Sequence, residues 1–327
     1  MGKTLATKSP VHAPAQLKSK GKKAHNPPAF NLASGPVQKQ NPGGNQQTPK
    51  QQALAKVATF AADSSTGQAF TNISKADFVA GLRSRINNPQ AIDQGALNAC
   101  GPAAAAYLIA ADNPVLFAEF AIELYTTGKG SLGSMTVDPY DGLLTRAPGD
   151  SEWGNYTQNN VLDFIILASM RSDKSPFFSQ FEDPSNQLAG ITLPGTVKEW
   201  LNASGTYSDV TDDTSLFGKS FDHFQNTLVP KHTNGHKVVM LIGADMISIS
   251  RGNAASKKGI KKEDLKKGKM GDKAQTSMPN HYVTFEGNFS VSGDNVSFKI
   301  WTWGSTEQIT ISKTDFAKLY YGGVYAK

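Results

Sequence analysis

The only cysteine in these 327 residues stands where an apolar helix is about to begin. It closes the loop Gln94-Gly95-Ala96-Leu97-Asn98-Ala99-Cys100-Gly101-Pro102, which runs into Ala103-Ala104-Ala105-Ala106-Tyr107-Leu108-Ile109. At a helix start, free backbone N–H groups and the positive end of the dipole favour a thiolate, so a lowered thiol pKa is expected for Cys100. Pro102 fits the first turn, where its missing N–H costs little. Six residues before the cysteine stands Gln94. Its side-chain amide, with the backbone N–H of Cys100, is placed to donate to a developing oxyanion. A thiol nucleophile also needs a base. Far downstream, Asn280-His281-Tyr282-Val283-Thr284-Phe285-Glu286-Gly287 reads as a strand that begins with His281.

Gln-x5-Cys-Gly at a helix start, a distant strand-borne His281 and a later strand ending in Trp303-Gly304 resemble the papain-like cysteine peptidases. Cys-Gly-Pro-Ala-Ala is similar to the bacterial branch of that fold that includes bacteriocin-leader peptidases. The resemblance covers residues 75–327. Papain's local signature has a cysteine three residues before the nucleophile and an aromatic directly after it. Here those positions hold Leu97 and Gly101. The resemblance implies a helical half carrying Cys100 packed on a mostly antiparallel sheet carrying His281, with no metal or organic cofactor. It also implies a third residue that orients the imidazole. Where the family has Asn-Ser-Trp-Gly this chain has Trp301-Thr302-Trp303-Gly304, so the asparagine position holds Trp301. Thr302 and Asp245, the latter expected at the end of the preceding strand, are the alternatives, and a Cys–His dyad is a third.

Charge divides the chain unevenly. Residues 1–70 carry nine Lys and one acid, Asp63, and few large apolar side chains. Such a stretch cannot bury enough surface to offset its ordering entropy, so a disordered basic leader is expected over 1–70, with the catalytic domain over 71–327. A second basic tract, 251–273, holds nine Lys and Arg against Glu263, Asp264 and Asp272 and reads as a flexible surface loop. The whole chain is only +6, so the remaining residues are acidic. Two flexible segments therefore produce the basic pI, which weakens any argument for a nucleic-acid-binding fold. Neither tract interleaves aromatics with its lysines as a single-strand binder would.

One cysteine allows no intrachain disulfide. No run of about 18 apolar residues is present, so no membrane span is expected. The start, Met1-Gly2-Lys3-Thr4-Leu5-Ala6, lacks the apolar core of a signal peptide, and a chain made in the bacterial cytoplasm is expected. Within the leader, residues 28–39, from Pro28-Ala29-Phe30 to Gln38-Lys39, look like the amino-terminal stretches of toxins loaded into contractile injection particles. That resemblance implies an injection-particle partner for 1–70 and delivery as a toxin or effector.

Helical spacing is expected over 75–83, from Cys100 to about Ala111, from Val115 to Tyr125 with Gly128 closing, over 159–170, around 197–201 and from Ser215 to Thr227. Irregular chain over 129–158, with Trp153 and Tyr156, would form one wall of a cleft. Strands are expected over 237–244, 281–287, 295–303, 305–311 and 323–326, with a short helix over 313–320. Helices first and an antiparallel sheet second is an α+β order. His232 and His236 flank Asn234-Gly235, a turn signal rather than a zinc pair. The expected activity is thiol hydrolysis of a protein or peptide, a peptidoglycan peptide included. Deamidation and acyl transfer use the same pair of groups. The alternatives are a papain-shaped binding protein without catalysis and a basic nucleic-acid or phosphate binder working through 1–70 and 251–273.

Overall fold

The computed structural model describes residues 47–95, 97–147, 161–174, 192–252 and 279–327. The chain divides into residues 1–45 and a second unit, Gln46–Lys327, to which the following description belongs. Residues 28–39, Trp153, Tyr156 and most of the 251–273 tract lie outside the described residues.

Regular structure begins inside the stretch expected to be a disordered leader. Helix α1, Pro49–Ala62, starts at a capping box in which the Thr48 hydroxyl accepts from Gln51 N–H and the Gln51 side chain accepts from Thr48 N–H. Ala53, Val57 and Phe60 form its buried face. The Phe60 ring packs edge-on against Phe78 and Tyr125, at 5.7 and 6.0 Å between centroids. Residues 49–62 therefore belong to the fold. Four apolar residues, Ala53, Leu54, Val57 and Phe60, recur at helical spacing among Gln, Lys and Thr, and averaging over 70 residues hid that period.

Helix α2, Lys75–Asn87, is N-capped by Ser74 as its sequence suggests. Helix α3, Cys100–Asp112, is buried on every side from Cys100 to Ala110 and forms the centre of the helical half. Asn113 caps α4, Pro114–Thr127, and Gly128 ends it in the left-handed conformation at φ 83°. A hairpin, β1 (Gly130–Leu132) and β2 (Met135–Val137), follows in a stretch expected to be irregular. Three segments, Val161–Asp163, a π-helical Phe164–Ala168 and Ser169–Asp173, form the continuous helix α5. Helix α6 is Thr196–Ala203.

Strand β3 (Val210–Asp212) precedes α7, which is built from Phe221–His223, a π-helical Phe224–Leu228 and Val229–Thr233. This helix was expected from Ser215. It starts later because Ser220 is the N-cap, its hydroxyl accepting from His223 N–H, while Asp212 and Ser215 hold turns before it. Then come β4 (Lys237–Ile242), the short helix α8 (Asp245–Ser250), β5 (His281–Phe285), β6 (Ser290–Ser292), β7 (Asn295–Thr302) and β8 (Ser305–Ser312). Helix α9 (Lys313–Leu319) leads into β9 (Tyr320–Ala326). The seven-stranded sheet runs β3-β9-β4-β5-β7-β6, with β8 also on β7, and its paired strands are antiparallel.

The architecture is α+β with helices first and a mostly antiparallel sheet after them. Alternation splits the sheet's side chains between two cores. Val239, Leu241, Tyr282 and Trp301 join the helical half, and Val238, Met240, Ile242, Val283, Phe285 and Ile300 join a second core with α7 and α9. Among the described residues no helix is long and apolar enough to cross a membrane.

Candidate active site

Cys100 is the first residue of α3, and that helix packs against β5. The thiol donates to the Asn280 carbonyl over 3.9 Å, one residue before His281. A separation of 180 residues in sequence is thus closed at the site. Burial sets the protonation of the pair. It pushes the Cys100 thiol above its ordinary value, against the opposing pull of the Tyr282, Gly101 and Cys100 N–H groups and the Arg171 guanidinium. The expectation of a lowered thiol pKa is therefore overturned in this state. Cys100 is only 6 % exposed, and desolvation of a charged sulfur outweighs a helix terminus worth about 1 kcal/mol.

His281 is held more tightly. Its Nε2 bonds to Thr302 Oγ1 at 2.7 Å, inside the protein. The partner follows from strand parity. In the β5–β7 pair Thr284 lies opposite Trp301 and Phe285 opposite Ile300, so side chains alternate in step across the ladder. Trp301 points into the helical half, where it stacks on Tyr107 of α3 at 4.3 Å and donates to the Gln90 carbonyl at 2.8 Å. Thr302 shares the face of His281. The imidazole's partner stands one residue beyond the position the family pattern marks.

Trp303 and Gly304 are the two-residue loop between β7 and β8, both at positive φ, 42° and 69°. Hairpin loops with two left-handed residues favour Asn or Gly, so a Trp here is an outlier held by its surroundings. Its indole stacks on the His281 ring at 4.4 Å with 19° between planes, and the Arg251 guanidinium lies 5.9 Å from the indole centroid. The strained turn roofs the histidine with an apolar plane.

Gln94 is buried on the loop that enters α3. That loop is pinned at several points. Asp93 N–H donates to Asp163 of α5 at 3.0 Å, Gly95 N–H to Asp93 at 2.9 Å, and Leu97 N–H to the Gln94 carbonyl at 3.0 Å. A Cβ on Gly304 would come within 3.2 Å of Asp93 Cβ, so the loop rests directly on the turn after Thr302. Cys100 thus meets the backbone one residue before His281, His281 is bonded to Thr302, and Gln94 is on the loop that enters α3. Asp245 stands in a different element from the one expected. The chain leaves β4 at Ile242, so Asp245 begins α8 rather than ending the strand, and the neighbouring Ala244 N–H donates to Asn280 Oδ1.

Two groups escaped the reading of the sequence. Asn280 anchors the start of β5, its N–H to Ile242 O and its side chain to Ala244 N–H. Its only signal was its place before His281. Arg171 lies buried in the last turn of α5, within electrostatic reach of the thiol. A lone cation ending an apolar helix was its signal. Among the described residues no cluster of three His, Cys, Asp or Glu could hold a metal ion.

Comparison with protein-family models, with curated proteins and with solved structures finds no match to this chain. The site's meaning therefore rests on its own geometry.

Burial of His281 has a measurable consequence. It lowers the imidazole pKa from the ordinary 6.5 to about 4. The unfolded chain then binds the proton more tightly, so this residue's contribution to stability is complete above pH 6.5 and is lost as pH falls through 4. The expected loss over that window is about 3 kcal/mol at 1.36 kcal/mol per pKa unit. Denaturant unfolding of the wild type and His281→Gln as a function of pH checks it. The difference between the two curves should slope between pH 6.5 and 4 and be flat above; a flat difference throughout would mean the ring is solvated.

Proposed function

We propose that this protein is a thiol hydrolase of the papain-like kind acting on a protein or peptide. The observation that carries the reading is the meeting of the Cys100 thiol with the Asn280 carbonyl, one residue before His281, whose ring is bonded to Thr302. The resting pair is uncharged, since burial favours both the thiol and the neutral imidazole. With Nε2–H donating to Thr302 Oγ1, Nδ1 is the basic nitrogen. Catalytic hydrogen bonds are often long or misaligned before substrate binds, so the thiol's bond to the Asn280 carbonyl describes a resting rotamer.

In the first step the Cys100 S–H proton passes to His281 Nδ1 as sulfur bonds to the substrate's carbonyl carbon. The oxyanion is held by the Cys100 N–H and the Gln94 amide. The C–N bond then breaks as the imidazolium gives its proton to the leaving amine. Water, deprotonated by the same imidazole, hydrolyses the thioester and restores the thiol. No metal or organic cofactor enters these steps. Delivery as a toxin or effector is a separate proposal and rests on the resemblance of residues 28–39 alone.

The deep burial of both groups favours a second reading, a binding protein with a papain-like shape and no catalysis. A cysteine-directed electrophile separates the two. Under the first reading it labels Cys100 faster than the unfolded chain's thiol is labelled, and His281→Ala removes the acceleration. Labelling at or below the unfolded rate in both proteins would favour the binding protein.

A further inference from the structure

Two loops, the first of them packed beside Cys100, present apolar side chains to solvent. Among the described residues five large hydrophobics are exposed, and three of them, Leu193, Leu216 and Phe217, belong to two loops around β3. Phe217 is 82 % exposed, which is costly for an unpartnered phenylalanine. Adjacent exposed apolar side chains with well-anchored backbones are the kind of surface that binds a partner at low entropic cost.

The first loop, 192–195, starts against the nucleophile. A Cβ on Gly101 would lie 2.4 Å from Thr192 Oγ1, so the residue after Cys100 must be glycine for Thr192 to sit there. Gly195 N–H donates to Asp212 Oδ2 at 2.9 Å, which ties this loop to the end of β3. The other oxygen of Asp212 accepts from Thr214 N–H at 2.7 Å and from its hydroxyl at 2.6 Å. The same carboxylate and the Cys100 thiol both act electrostatically on the Tyr282 phenol, one residue from His281.

The second loop is clamped at both ends. Ser215 N–H donates to Tyr321 O at 2.9 Å and Lys219 N–H to Tyr320 O at 2.8 Å. Asp213 accepts from Gly323 N–H, from the Tyr325 hydroxyl and from His223 Nε2, at 2.8, 3.0 and 2.8 Å. Between the clamps the Ser215 hydroxyl accepts from Phe217 N–H at 3.0 Å, turning Leu216 and Phe217 outward. The backbone is fixed while the side chains are bare.

We propose that Leu193, Leu216 and Phe217 form a ledge that takes a large apolar side chain of a polypeptide substrate near the bond presented to Cys100. This inference rests on the hydrolase reading of the same site and adds its selectivity. A peptide is the occupant because the ledge begins at Thr192, against Gly101, and is linked through Asp212 to the residue following the base.

The test uses the full chain carrying Cys100→Ala, screened against an immobilised peptide library randomised at every position. Bound peptides should be enriched in Leu, Met, Phe or Tyr at one fixed position, and Phe217→Ser or Leu216→Ser in that background should weaken them about tenfold or more. Both side chains are exposed, so neither change should alter the melting temperature. No enrichment, or enrichment that survives both serine variants, would overturn the ledge. The selected peptides are then offered to the protein with Cys100 intact. Peptides that bind through Phe217 but stay uncleaved, with Cys100 unreactive to iodoacetamide, would refute the hydrolase and leave the ledge standing as a peptide-binding surface.

Discussion

Cys100→Ala is expected to abolish hydrolysis while leaving the fold intact. The sulfur is the atom that attacks, and alanine offers no substitute, so turnover should fall by about 10⁴-fold or more, to whatever oxyanion binding alone sustains. The structural cost should be small. The thiol is a small buried group with a long hydrogen bond to the Asn280 carbonyl, and its loss should cost about 1 kcal/mol. Turnover of a peptide substrate and a thermal melt on the same preparation check both halves. Full activity in the alanine variant would end the thiol mechanism, and a collapsed melt would make Cys100 a packing residue.

Asp163→Ala should produce the largest loss of stability. Arg85 and Asp163 form an ion pair deep in the helical half, with Nε and Nη2 donating to the carboxylate at 3.0 and 2.6 Å. Removing the carboxylate leaves a guanidinium buried without its counter-charge, which costs about 3–5 kcal/mol. The same carboxylate also accepts from Asp93 N–H, so the loop carrying Gln94 loses its anchor. Activity should therefore fall beyond what the unfolded fraction explains. Paired apolar replacement, Arg85→Met with Asp163→Leu, should recover most of the stability but not the loop's position. Denaturant midpoints and turnover measured on the single and double variants separate these effects. Equal stability in Asp163→Ala and wild type would mean the pair is already solvated.

The ion pair shows where reading the sequence stopped short. Arg83 and Arg85 look alike in an amphipathic helix, and Asp163 looks out of place in the apolar run Val161–Leu167. Only contact between α2 and α5 explains both the buried arginine and the intruding aspartate. The leader boundary failed for a different reason. Composition over 1–70 is an average, and the period of Ala53, Val57 and Phe60 inside it decides whether a helix can dock.

The sequence by itself determined where several regular elements begin or end, because caps, prolines, glycines and apolar periods act over one or two turns. Ser74, Asn113, Gly128 and the run Val238–Ile242 did so here. It also determined the α+β order and the placing of the only thiol at a helix start. Tertiary structure decided which groups meet and in what protonation state. Thr302 bonds the imidazole because strand alternation turns Trp301 one way and Thr302 the other. The thiol is raised and the imidazole lowered because burial outweighs the helix terminus that the sequence displays. Desolvation depends on every atom packed around a group, and those atoms come from segments up to two hundred residues away, beyond the reach of any local pattern.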